Sequence, residues 1–148
     1  MSSRDFRLYI VDIFIAINKI GRYTQEFEDG ESLRWHEMAW DSTIRELEIL
    51  GEATRVLLQT NFLQDKKYRK IVDFRNIIAH GYFGLDEEEV FYVCKTKLEE
   101  LEEELILLLK DKKIEIEKVL ELSIEENKKI TPLVTYLKEL IMRINNAR

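Results

Sequence analysis

Chain breakers and sulfur are scarce here: 148 residues include five glycines, one proline and one cysteine. So few breakers argue against a many-turned sheet and leave long helices as the consistent reading. The lone Cys94 cannot close an internal disulfide or build a cysteine-based metal site, which points to a reducing compartment. No apolar run approaches the roughly 18 residues that a membrane-spanning helix needs. The opening Met1-Ser2-Ser3-Arg4-Asp5 lacks the pattern of a cleaved signal. The expectation is a cytoplasmic protein with no membrane partner. Histidine is scarce too, with only His36 and His80.

What is present suits helices with one wet face. Apolar residues make up 45% and charged residues 35% of a chain long enough to bury one core. The net charge of −6 weighs against general nucleic-acid binding, but the charge is uneven. Between Lys66 and His80, five cations (Lys66, Lys67, Arg69, Lys70 and Arg75) face only Asp73, a local balance of +4. The acidic excess lies elsewhere, at Glu87 to Glu89 and Glu99 to Glu104. Because salt screens distant charges more than near ones, such a strip can hold phosphate. The plainer reading is a solvated helix face.

Apolar spacing predicts the elements. Phe6, Tyr9, Ile10, Ile13, Phe14, Ile17 and Ile20 mark a helix over 3–21, with Gly21 as its stop. A connection closed by Asp29-Gly30 leads to a second helix over 31–60. Gly51 inside it costs about 1 kcal/mol of helix propensity against alanine, which suggests that another backbone packs close. A third helix over 65–80 carries the basic strip and ends at His80-Gly81, where glycine suits the left-handed cap. Asp86 caps an acidic first turn and a fourth helix over 87–112. Residues 113–148 form a helical extension, with a capping box at Ser123-Ile124-Glu125-Glu126 and a Thr131-Pro132 start. The fold class is all-α: a bundle of four helices over 1–112 plus a helical tail over 113–148.

The chemistry concentrates in Arg75-Asn76-Ile77-Ile78-Ala79-His80-Gly81-Tyr82. Histidine moves protons near neutrality. Arginine stays charged and forks onto phosphate oxygens. Cleaving RNA needs a base for the 2′-hydroxyl, a cation for the crowded phosphorane and an acid for the leaving 5′-oxygen. Five helical steps of about 100° set Arg75 and His80 roughly 140° apart, so they share no face of an ideal helix. Two proton-transfer groups are wanted, and a twofold dimer placing two such loops together supplies them. The spacing alone also fits plainer roles. His80 then caps carbonyls, Arg75 pairs with Asp73 or Glu52, and Tyr82 anchors a loop. His36, near the start of the second helix, reads as a packed or exposed histidine more than a catalytic partner. Cys94 reads as a core residue, and Glu99 to Glu104 as a solvated face.

The stretch Arg75-Asn76 to His80-Gly81-Tyr82-Phe83 resembles the Arg-x4-His-x-Tyr signature of the HEPN toxins of HEPN–MNT toxin–antitoxin systems, the HepT-like group. Ile49-Leu50-Gly51-Glu52-Ala53 is similar to the Gly-Glu-Ala segment of the preceding helix in that group, and the similarity covers about residues 4–110. It implies a HEPN-type four- to five-helix bundle acting as a homodimer. It also implies a metal-independent endoribonuclease without cofactor, the toxin of a type VII-like system. Its substrate would be RNA, as tRNA or mRNA. Arg75 and His80 are then catalytic and Asn76 a polar member of their pocket. Lys66, Lys67, Arg69 and Lys70 would bind substrate. Tyr82 matches the tyrosine to which the cognate MNT nucleotidyltransferase can transfer AMP, putting negative charge and bulk at the cleft mouth. Two features depart from the group: the tail 113–148, and Lys66-Lys67-Tyr68 where many relatives favour proline–tryptophan. The rival reading is a non-catalytic helical subunit that binds nucleotide or scaffolds a nucleotidyltransferase. A third is a dimeric structural protein with no site.

Overall fold

The computed structural model describes residues 4–81 and 84–146, and among these it is helical with no strand. Helix α1 (Phe6–Tyr23) forms the spine, with Ile10, Ile13, Phe14, Ala16 and Ile20 fully buried. Burying each isoleucine or phenylalanine of this set contributes about 1.5–3 kcal/mol. Helix α3 (Glu37–Gln59) lies along α1, and α4 (Asp65–Ala79) packs on the other side of α3.

The fourth predicted helix is present as a single rod in three pieces. Helix α5 (Glu87–Tyr92) passes through a π-helical turn (Val93–Lys97) into α6 (Leu98–Asp111). The backbone stays helical at both joins, with Tyr92 at φ −58, ψ −46 and Leu98 at φ −68, ψ −33. Such a turn carries one extra residue without breaking the helix. Cys94 sits buried inside it. Helices α7 (Glu117–Glu126) and α8 (Thr131–Asn145) come from the tail and contact α1. Leu120, Leu133, Leu137 and Leu140 join the same apolar cluster as the bundle residues.

Four boundaries differ from the sequence expectation. Helix α1 runs through Gly21 and ends at Thr24, whose hydroxyl donates to Ile20 O at 2.8 Å. Lys95 Nζ then donates to Thr24 O at 2.8 Å, a partner 71 residues away. The expected 31–60 helix is two: α2 (Gly30–Arg34) and α3, broken at Trp35-His36. His36 is extended and its Nδ1 accepts from Ala39 N at 3.2 Å, so this histidine is an N-cap. Ser123 opens no capping box; it is buried in the last turn of α7, where its carbonyl accepts from Asn127. Thr131 is the first residue of α8 rather than its cap, which moves Pro132 one place inward.

Asp86 caps α5 as expected, accepting from Glu88 N and Glu89 N. Glu88 turns back to accept from Gly30 N at 2.8 Å and Glu31 N at 3.0 Å. It thereby satisfies the open N-terminus of α2. Nor is the run Glu99 to Glu104 wholly solvated. Glu102 accepts from Tyr136 and Arg143 of α8, and Glu104 from Lys67 of α4. Burial and the Glu102 charge push the Tyr136 hydroxyl well above its usual titration range.

Candidate active site

Helix α4 is regular through Ala79, so its sequence order fixes which residues share a side. Lys66, Arg69, Asp73, Asn76 and His80 fall within about 80° of arc at 3.6 residues per turn. All five are exposed, forming one outward stripe along the helix. The stripe ends at His80, whose N–H donates to Ile77 O at 3.1 Å and whose side chain is open to solvent. Gly81 follows at φ +105, the left-handed conformation that the sequence predicts there. Tyr82 lies outside the described residues.

The neighbouring lysines are drawn aside. Lys67 pairs with Glu104 at 3.2 Å and Lys70 with Glu89 at 3.0 Å, each bridging to the α5–α6 rod. Lys67 and Lys70, two expected substrate-binding cations, thus meet carboxylates of the rod; Lys66 and Arg69 lie on the His80 stripe. Tyr68, next to Lys67, is buried.

Arg75 points elsewhere, toward α3. A Cβ at position 51 would lie 2.4 Å from the Arg75 Cβ and 3.1 Å from the Ile71 carbonyl oxygen. Gly51 therefore lets α4 approach, as its place in a helix interior suggests. The Arg75 guanidinium forms an ion pair with Glu52, with Nη2 3.1 Å from Oε2. Its Nη1 donates to Asn76 Oδ1 at 3.2 Å. Glu52 also accepts from Arg55. The Arg55 hydrogen bond, reinforced by the charges of Arg55 and Arg75, holds the Glu52 carboxyl below the usual carboxylate range. An open cleft at this point is lined by Arg4, Tyr9, Asp12, Glu48, Glu52 and Arg75 among others; His80 is not part of its lining.

The structure thus joins Arg75 to Asn76, joins Asn76 to the His80 stripe, and leaves Arg75 and His80 on separate sides of α4. Of the plainer partners for Arg75, Glu52 is the one that it meets. The Arg55–Glu52–Arg75 cluster is the feature that spacing along the motif does not reveal, because it depends on α3 crossing α4 at Gly51. The Gly51-Glu52 pair within a helix is the only signal for it. His36 caps α3 and stacks edge-on against Phe27, with ring centroids 5.3 Å apart.

An all-helical bundle carrying arginine, asparagine and histidine on one helix, with a cationic stripe leading to the histidine, defines the class as a HEPN-type helical protein. The profile of the family described as "Ribonuclease HepT-like" matches residues 13–108, and the chain belongs to that family. A Methanocaldococcus jannaschii protein named "Putative RNase MJ1380" is 30% identical over 108 residues, spanning 70% of this chain and 96% of the relative. A second from that organism, "Putative RNase MJ0125", is 24% identical over 115 residues, spanning 75% of this chain and 97% of its own. No solved structure matches at comparable significance. No helix among the described residues is long and apolar enough to cross a membrane.

Proposed function

We propose that the chain is the toxin of a type VII-like toxin–antitoxin pair, a metal-independent endoribonuclease that cuts RNA as a homodimer. In this reading residues 1–112 form the ribonuclease domain and 113–148 an extension. The reading rests most on one observation: exposed His80 ends a stripe that also holds Lys66 and Arg69, while Asn76 ties that stripe to the Arg75 guanidinium.

The chemistry balances without further reactants. One His80 takes the 2′-hydroxyl proton, and the 2′-oxygen bonds to phosphorus. The phosphorus–5′-oxygen bond breaks, and the second subunit's own copy of His80 gives that oxygen a proton. Arg75 stabilises the doubly charged phosphorane between these events. Two facing α4 ends bring the wide-set pair together across a shared groove. A cognate MNT nucleotidyltransferase silences the toxin by transferring AMP to Tyr82, because the adenylate brings charge and bulk beside the cleft.

The Arg75–Glu52 ion pair favours the rival reading, a non-catalytic scaffold or nucleotide-binding subunit in which Arg75 serves packing. Expression of wild type and of His80→Ala separates the two. The toxin reading expects growth arrest and RNA cleavage in EDTA from wild type alone. If both chains are harmless and neither cuts RNA, the scaffold reading replaces it. Tyr82→Phe is expected to keep nuclease activity and to gain no AMP mass on incubation with the partner enzyme and ATP.

A further inference from the structure

We propose that Glu52 is a positioning residue for RNA cleavage, its carboxylate holding the Arg75 guanidinium in place before substrate arrives; this rests on the ribonuclease reading above. Three restraints meet on Arg75. Gly51 lets its stem lie directly against α3. Glu52 takes one terminal nitrogen at 3.1 Å. Asn76 takes the other at 3.2 Å. Arginine side chains are long and rich in rotamers, so a free guanidinium must be ordered during each encounter. Here the ordering precedes the encounter. A guanidinium has five N–H donors, and a carboxylate plus an amide leave others for a phosphate. The side chain is 32% exposed, so those donors are reachable.

Glu52 is itself braced. Arg55, one turn along α3, hydrogen-bonds the same carboxylate, its Nε 3.2 Å from Oε2. The carboxylate is therefore oriented from its own helix, whatever Arg75 does. A lone surface pair would lack that second hold. The arrangement carries an opposing effect: a negative charge beside Arg75 repels incoming phosphate. Removing it should ease ground-state binding of RNA while loosening the group that the transition state needs. Turnover and binding then move in different directions, which neither a folding defect nor a simple charge effect produces.

The test compares wild type, Glu52→Gln and Glu52→Asp as full-length chains on one oligoribonucleotide, with melting temperature as a folding control. The expectation for Glu52→Gln is a kcat loss of about tenfold to a hundredfold, the size of effect that a misplaced catalytic group produces. KM should stay the same or fall. Glu52→Asp, which keeps the charge on a shorter arm, should recover part of kcat. Nitrogen-15 NMR of the RNA-free protein should show slow rotation of the Arg75 guanidinium in wild type and averaged signals in Glu52→Gln. An active wild type with an undiminished kcat in Glu52→Gln overturns the proposal alone, as does unchanged guanidinium rotation. A kcat loss matched by a fall in melting temperature in both variants also overturns it. A wild type that leaves RNA intact removes the ribonuclease reading, and the proposal falls with it.

Discussion

Gly51 and Arg75 lie so close that no side chain fits between them: a Cβ on residue 51 would stand 2.4 Å from the Cβ of Arg75. Glycine in the interior of α3 costs about 1 kcal/mol of helix propensity against alanine, and in return it lets α4 lie against α3 at Arg75. Gly51→Ala gains the propensity yet must push α4 away. The net expectation is a destabilisation of about 1–3 kcal/mol, the usual cost of overpacking, read by urea denaturation. Cleavage should fall further than stability alone accounts for, because Arg75 is the displaced group.

Lys66 and Lys67 are adjacent in sequence and opposite in use. Lys66 lies on the His80 stripe, while Lys67 is engaged by Glu104 of α6 at 3.2 Å. Lys66→Ala should weaken RNA binding and flatten its salt dependence, lowering the log–log slope by about one. Lys67→Ala should change that slope less. Fluorescence anisotropy of a labelled RNA over a salt series measures both, and a larger effect at Lys67 would count against the stripe as the RNA path.

Cys94 offers a clean probe of the folded state. Burial pushes its thiol up to about 12, far above the ordinary thiol range. A thiol-specific reagent at pH 8 should leave the native protein unmodified and label it promptly in denaturant, since the thiolate is the reactive form. Labelling of native protein at the denatured rate would contradict the packing of the π-helical turn.

Glu46 gives a pH test of stability. It is buried in α3, and loss of water raises its carboxyl pKa, partly opposed by the charges of Lys19, Arg45 and Arg22. A carboxyl raised in the folded state stays protonated there while its unfolded counterpart ionises. Its contribution to stability therefore falls as pH rises from the ordinary glutamate range through the folded value, and the deficit persists above it. Glu46→Gln should be more stable than wild type at neutral pH, with the difference vanishing in acid below the unfolded value. Thermal melts from pH 3 to pH 8 check the sign; a less stable variant at neutral pH would show that Glu46 is paired rather than penalised.

Much of the bundle was legible because the relevant signals are local. Three- and four-residue apolar steps marked α1, α3, α4 and the α5–α6 rod. Asp86 and Gly81 marked a start and a stop through their own backbone needs. Two of the errors share a cause. Gly21 looked like a stop, yet α1 runs on to its cap at Thr24, whose carbonyl accepts from Lys95 of another helix. Trp35-His36 looked continuous, yet α2 turns away to meet Glu88. Ser123 looked like a cap and is buried in the last turn of α7. At Thr24 and at α2 the contact comes from a group distant in sequence, which local spacing does not encode.

The site divides in the same way. Residue order alone puts arginine, asparagine and histidine one after another on a helix ending in glycine, since spacing and the left-handed cap are properties of the chain. It also set the cationic stripe, because a regular helix converts order into direction. That Arg75 turns inward to Glu52, and that Lys67 and Lys70 are engaged by the α5–α6 rod, is settled by how the helices pack. Those choices depend on which carboxylates the packing of separate helices brings within reach.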